Sequence, residues 1–113
     1  WQERLLKEFD LEKELDKSLY YYSGGQRKLI QLMCLLSQKT ELLLLDEPFT
    51  HLDEKACSFI MDWIEENKKL VGQSFIIVSH RLEPLNNRSD YHIEISNNTL
   101  HCITEDNYGK ENN

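Results

Sequence analysis

The stretch Leu42-Leu43-Leu44-Leu45-Asp46-Glu47 decides the fold of this chain. A short, uninterrupted apolar run of this kind is typical of a strand that is buried on both faces of a parallel sheet, and it is too short for a helix. Pro48 ends the strand, because its ring leaves no N–H for a further ladder bond. The two carboxylates, Asp46 and Glu47, therefore lie where the strand ends.

A strand–helix–strand unit is predicted downstream of this run. Residues 53–68 place five apolar side chains at helical spacing, and Asp53 is a suitable N-cap. The apolar residues are Ala56, Phe59, Ile60, Trp63 and Ile64. A second strand follows at residues 74–78 and ends before Ser79-His80. Because ligands of parallel sheets bind beyond the carboxyl ends of the strands, Asp46, Glu47 and His80 are expected at one edge.

A helical lead-in is predicted upstream of the apolar run. Residues 3–17 carry apolar side chains at a rough helical period, Leu15 being the last, and Asp10 divides them into two short helices. Ser23-Gly24-Gly25-Gln26 then opens an almost wholly buried helix over residues 27–37. Backbone amides at a helix start favour an anion, and two glycines allow it a close approach. Taken alone, this element is more often an ordinary glycine-containing turn with Ser23 as N-cap.

The last part of the chain is predicted to be a β-hairpin. Residues 91–96 and 99–103 alternate around Asn97-Asn98, and asparagine tolerates the positive φ that a two-residue turn requires. Residues 105–113 are polar and are expected to fray. The chain thus divides into a helical part (1–40), a βαβ unit (41–80), a hairpin (81–104) and a tail (105–113), all within a portion of one domain (1–113).

Composition excludes several classes of function. The 113 residues carry a formal net charge of -7, with 20 acidic and 13 basic side chains, which opposes binding to a nucleic-acid backbone. The three cysteines are far apart and indicate neither a disulfide framework nor a zinc site. No apolar stretch approaches a membrane span. Because Trp1 opens directly into a helical pattern, we expect the chain to be a fragment.

The polar residues at the strand ends are candidates for phosphoryl-transfer chemistry. A carboxylate such as Asp46 can hold Mg²⁺ through a water, and a neighbouring one such as Glu47 can polarise an attacking water. A neutral imidazole at His80 can hydrogen-bond a γ-phosphate or order that water. The plain alternatives are acidic residues that end a strand at solvent and a histidine that lies in a loop without a function.

In order and spacing, these elements resemble the ATP-binding-cassette (ABC) ATPase family over nearly the whole chain. Residues 22–26 look like the family's signature motif, and residues 42–47 look like its Walker B strand with the catalytic glutamate. Thr50-His51-Leu52-Asp53 looks like the D-loop, and His80 looks like the switch histidine. Four ordered elements are far more specific than any one of them.

The resemblance implies an α/β fold, the C-terminal portion of a P-loop NTPase domain with a parallel βαβ core. It implies ATP and Mg²⁺ as ligands, with Asp46 positioning the metal, Glu47 acting as general base and His80 sensing the γ-phosphate. Residues 23–26 would contact ATP held by a second ABC ATPase domain in a head-to-tail dimer, and Asp53 would cross that interface. A transmembrane permease would be the other partner, which implies a cytoplasmic location on the inner face of the membrane.

The sequence departs from the family pattern in three places. Tyr22 stands where a leucine is usual, and His51 stands where many members have a small residue. No G-x-x-x-x-G-K-[ST] occurs in these residues, so nothing here cradles the β- and γ-phosphates. We therefore expect these residues alone to bind ATP weakly or not at all and to be inactive as an isolated fragment.

Three functions remain open from the sequence. The first is the ATPase subunit of a transporter, and the second is a non-transport ABC ATPase, such as an SMC-like chromosome or repair protein or a translation factor. The acidic balance and the lack of flanking heptads favour the first. A regulatory module without catalysis is the third, and the presence of Glu47 and His80 disfavours it.

Overall fold

A computed structural model describes residues 1–12 and 16–103. Its centre is the predicted βαβ unit, formed by β1 (Leu42–Asp46), α3 (Glu54–Val71) and β2 (Ser74–Val78). The two strands pair in parallel, with Leu42 opposite Ser74 and Asp46 opposite Val78. An α/β fold with a parallel pair is thereby confirmed.

Helix α3 begins where the sequence predicts and ends three residues later. The Asp53 carboxylate caps its first turn by accepting the Ala56 N–H at 2.8 Å. Gly72, at φ 70°, ends the helix in the left-handed conformation that glycine adopts without a steric penalty. Lys68 and Lys69 lie in the last turn, where positive charge offsets the helix dipole and extends the helix past residue 68.

The sheet is buried on one face only, contrary to the prediction for β1. Leu43 and Leu45 point into the core, whereas Leu44 is 67% exposed on the other face. Ile76 and Val78 of β2 share that exposed face. An apolar run makes both faces of a strand suitable for burial. Within the described residues, however, helices cover only one face of this sheet.

The helical part contains α1 (Gln2–Glu8) and α2 (Gly24–Leu36). Asp10 adopts φ 54° just after α1, in agreement with a break at that residue. Residues 13–15, which include Leu15 of the predicted second short helix, lie outside the described residues. A 3-10 turn at Leu19–Tyr21 leads into α2.

Helix α2 is amphipathic rather than almost wholly buried, and it starts at Gly24, directly after Ser23. Leu29, Leu32 and Leu36 face the core, while Leu35 is 37% exposed. A buried Gln73 fixes the end of α2 near β2 by donating through Nε2 to the backbone oxygens of Gln38 and Thr40. The core is formed by side chains of α1, α2, β1 and α3, together with Leu11, Tyr22, Phe49 and Leu52 from the segments between them.

The hairpin is confirmed as β3 (His92–Ser96) and β4 (Thr99–Ile103). Asn97 and Asn98 form its turn at φ 49° and 60°. A short 3-10 turn, Glu83–Leu85, packs on α3 before the hairpin. The predicted tail at residues 105–113 lies outside the described residues, and none of the described helices is long and apolar enough to cross a membrane.

Candidate functional site

The turn at residues 23–26 starts α2 with a reciprocal capping box. Ser23 Oγ accepts the Gln26 N–H at 3.1 Å, and Gln26 Oε1 accepts the Ser23 N–H at 3.0 Å. This arrangement fixes the first turn, and Gly24 and Gly25 occupy its first two positions, at the positive end of the helix. Ser23 is thus the N-cap that the sequence predicts, and anion binding at this helix start stays a prediction.

Gly25 lies against the backbone of the loop formed by residues 47–53, hereafter the 47–53 loop. An ideal Cβ built on Gly25 would come within 2.8 Å of the His51 carbonyl oxygen, whereas one on Gly24 would meet only the His51 ring, at 4.0 Å. Real Cβ atoms essentially never approach a backbone atom as closely as 2.8 Å. Glycine at position 25 is therefore what allows the loop to pack on the helix start.

Glu47 and His80 meet at the carboxyl ends of β1 and β2. The Glu47 N–H donates to the Val78 carbonyl at 2.7 Å, which anchors the residue to the second strand. Its carboxylate accepts the His80 N–H, at 3.0 Å to Oε1 and 3.3 Å to Oε2. His80 Nε2 lies 3.5 Å from Glu47 Oε1, with the imidazole almost fully exposed.

The backbone of Glu47 is held in an uncommon conformation. Its φ is 48°, a left-handed value that costs a non-glycine residue about 1–2 kcal/mol. Outliers of this kind persist where surrounding bonds fix them, and they cluster at functional sites. Here the bonds to Val78 and His80 supply that constraint.

Asp46 ends β1 with an exposed side chain. Among residues 1–12 and 16–103, no group of three or more His, Cys, Asp or Glu side chains is arranged to hold a metal ion. The single Asp46 carboxylate still fits Mg²⁺, because this ion keeps several waters and takes only one or two carboxylates together with substrate phosphates. Asp46 is thus a compatible magnesium ligand, whereas Asp53 is engaged as the cap of α3.

Arg81 is a site residue that the sequence analysis missed. Its Nη1 donates to the Phe49 carbonyl at 2.8 Å and to the Leu52 carbonyl at 2.7 Å. The guanidinium also lies beside the buried Cys57 thiol; burial raises the pKa of that thiol, and the positive charge of Arg81 opposes the rise. The only sequence signal is that Arg81 directly follows His80.

The predicted residues therefore form two clusters that the 47–53 loop joins. One is the 23–26 turn with His51 packed against it, and the other is Glu47 with His80. Asp46 lies next to the second cluster in sequence. The loop connects the start of α2 to the contact between the Glu47 carboxylate and the His80 imidazole.

Comparison with known proteins identifies several relatives. The family model described as "ABC transporter" matches residues 1–50. The ATP-binding protein of the lipoprotein-releasing system of Buchnera aphidicola is 37% identical over 78 residues, which are 69% of this chain and 34% of that protein. The energy-coupling factor transporter ATP-binding protein of Clostridium tetani is 36% identical over 74 residues, which are 66% of this chain and 26% of that protein.

Solved structures share the fold at lower identity. A nucleotide-free ATP-binding cassette from an ABC transporter superposes with a TM-score of 0.67 at 23% identity, over 88% of this chain and 39% of that one. An SMC ATPase gives a TM-score of 0.63 at 22% identity, over 77% and 56%. The chain spans about a third or less of the length of the curated relatives it matches, and as little as 14% of one of them.

Proposed function

The chain belongs to the ABC ATPase family, and from that premise we propose that its full protein hydrolyses ATP to drive a substrate across a membrane. The contact between Glu47 and His80 at the strand ends is the observation that carries the proposal. A carboxylate that is fixed at its backbone and aligned by an amide is suited to accept a proton from water. The adjacent exposed imidazole can reach a phosphate that arrives at this edge.

The side chains have separate roles in this proposal. Glu47 orients the attacking water and takes its proton, while His80 donates a hydrogen bond to the γ-phosphate. Asp46 would hold Mg²⁺, and the bound ion would neutralise negative charge on the phosphates. These assignments of catalytic, binding and metal residues, like the division of the chain into segments, are proposals.

A second ATPase domain is the proposed partner of the 23–26 turn. Ser23 and Gly24 are exposed at the start of α2, and the Gly24 amide lies in the first turn, at the positive end of the helix. We propose that Ser23, Gly24, Gly25 and Gln26 contact the phosphates of an ATP molecule bound mainly by the other domain, with Asp53 near the junction. An SMC structure with the same fold is described in terms of ATP-driven dimerisation.

A transmembrane permease is the proposed second partner, and the ATPase would bind it at the cytoplasmic face of the membrane. The relatives at 36–37% identity are ATP-binding proteins of a lipoprotein-releasing system and of an energy-coupling factor transporter, which supports transport as the work performed. The likeness to SMC ATPases keeps a non-transport ATPase as the second candidate. No nucleic-acid partner is expected for the transporter. Stimulation of ATP hydrolysis by DNA, rather than by a reconstituted membrane partner, would therefore favour the second candidate.

The test is Glu47→Gln in the full-length protein with all its domains present. Loss of the general base should lower kcat for ATP hydrolysis by about 100-fold or more while ATP binding is retained. Glu41→Gln is the matched control, because Glu41 is exposed at the opposite end of β1, and it should hydrolyse ATP at the wild-type rate. Unchanged hydrolysis in Glu47→Gln would remove the residue from its proposed role.

A further inference from the structure

The guanidinium of Arg81 makes contacts that no assigned role explains. One nitrogen, Nη1, donates to two carbonyl oxygens of the 47–53 loop, those of Phe49 and Leu52. The side chain is half-buried, and Phe49, one of its two partners, is completely buried. A charged donor with two short bonds to backbone is a specific attachment, since charge-assisted bonds are about twice as strong as neutral ones.

The loop needs such an attachment because its own bonds are weak. Within it, the Thr50 N–H reaches the Glu47 carbonyl at 3.4 Å and the Leu52 N–H reaches the Phe49 carbonyl at 3.2 Å, both at the long end of hydrogen-bond distances. Two of its residues, Glu47 and His51, adopt left-handed φ values of 48° and 65°. A loop with strained residues and long internal bonds keeps its shape only when outside groups fix it.

Arg81 and His80 fix this loop from one short segment. The His80 N–H holds the Glu47 carboxylate at the start of the loop, and Arg81 holds its middle and end. Between the two carbonyls bound by Arg81 lies His51, whose own carbonyl packs against Gly25. The position of the loop therefore determines both where the Glu47 carboxylate points and how closely the loop approaches the 23–26 turn.

We propose that Arg81 is a positioning residue for ATP hydrolysis, which acts by fixing the 47–53 loop between Glu47 and the 23–26 turn. This inference rests on the proposed function. Arg81 touches no reacting atom in this scheme. It keeps the general base aligned, and it ties the end of β2, where His80 lies, to the loop that packs against the start of α2.

The perturbation is Arg81→Met in the full-length protein, which keeps the aliphatic stem and removes the nitrogen that makes both hydrogen bonds. Misplacement of the base by about 1 Å should lower kcat by roughly 10- to 100-fold, with the KM for ATP within about threefold of wild type. Arg81→Lys keeps the charge but not the planar geometry, so its kcat should lie between the two. Arg88→Met is the matched control: Arg88 also joins two partners, Glu65 and Asp62, and neither belongs to the 47–53 loop.

A purely structural role predicts a different pattern. In that case Arg81→Met and Arg88→Met would lose thermal stability with no specific fall in kcat per folded molecule, and that result would overturn the proposal. Equal kcat values for the Lys and Met variants of Arg81 would also overturn it. If Arg81→Met does not fold, Arg81→Lys decides: a lower kcat at unchanged KM supports the proposal, and wild-type kcat refutes it.

Failure of this inference is distinguishable from failure of the proposed function. If wild type hydrolyses ATP and Glu47→Gln does not, the function stands, and the Arg81 variants test only the positioning role. If Glu47→Gln hydrolyses ATP at the wild-type rate, the proposed function fails first, and the role of Arg81 in hydrolysis fails with it.

Discussion

Replacing Gly25 with alanine tests the contact between α2 and the 47–53 loop. The new Cβ would lie 2.8 Å from the His51 carbonyl oxygen, well inside the 3.4 Å at which ordinary van der Waals contact begins. The obstacle is backbone, so the loop or the helix start must move by several tenths of an ångström. Overpacking of this kind costs about 1–3 kcal/mol.

Gly24→Ala separates this cost from helix propensity. Both glycines lie in the first turn of α2, where alanine is favoured over glycine by up to about 1 kcal/mol. A Cβ at position 24 would meet only the His51 ring at 4.0 Å, which is ordinary contact. The propensity gain therefore cancels between the two variants, and the difference in their stability is the overpacking term of about 1–3 kcal/mol.

The assay is urea denaturation of wild type and both variants of the full-length protein. Their midpoint urea concentrations are compared, provided that the m-value is the same for all three. Gly24→Ala should be as stable as wild type or slightly more stable, and Gly25→Ala should be less stable. Equal stability of the two variants would show that the loop does not pack on the helix start as described.

Two further predictions concern α3 and its neighbours. Asp53→Ala should cost about 1 kcal/mol because the cap of α3 is lost, whereas Asp53→Asn keeps an acceptor and should stay near wild type; thermal unfolding distinguishes them, and equal losses would exclude the cap. Glu65 accepts a hydrogen bond from Arg88 at 2.8 Å, which lowers the pKa of its carboxyl below the ordinary value of 4.5. The resulting stability is complete above about pH 4.5 and is lost as pH falls through the lower folded-state pKa. Arg88→Met should therefore flatten the acid limb of the stability curve, and an unchanged limb would contradict the assignment.

Much of the fold could be predicted because its signals are local. The strands at residues 42–46 and 74–78 follow from short apolar runs, the start of α3 follows from Asp53, and the hairpin turn follows from Asn97-Asn98. Each signal depends on a backbone preference or a side-chain period that the residues carry themselves. The exposure of Leu44 could not be predicted, since a strand's sequence does not specify which layers cover it.

The meeting of Glu47 and His80 at one edge was predictable, but the backbone contacts around them were not. Glu47 and His80 were expected at one edge because parallel strands place their carboxyl ends together. The bonds from Arg81 and the approach of Gly25 to His51 both end on carbonyl oxygens. Every residue has such an oxygen, so no residue type marks the partner, and only the path of the chain brings it into reach.

The connection between β1 and β2 has a consequence for folding kinetics. The chain between β1 and β2 contains the 47–53 loop and all of α3, and it must fold back before these two strands can pair. Only two residues separate β3 from β4. Hairpins close in about 1–10 μs, and non-local parallel pairing is intrinsically slower. The hairpin will therefore close and reopen many times before the parallel pair forms, and the edge that carries Glu47 and His80 will be among the last features of the chain to assemble.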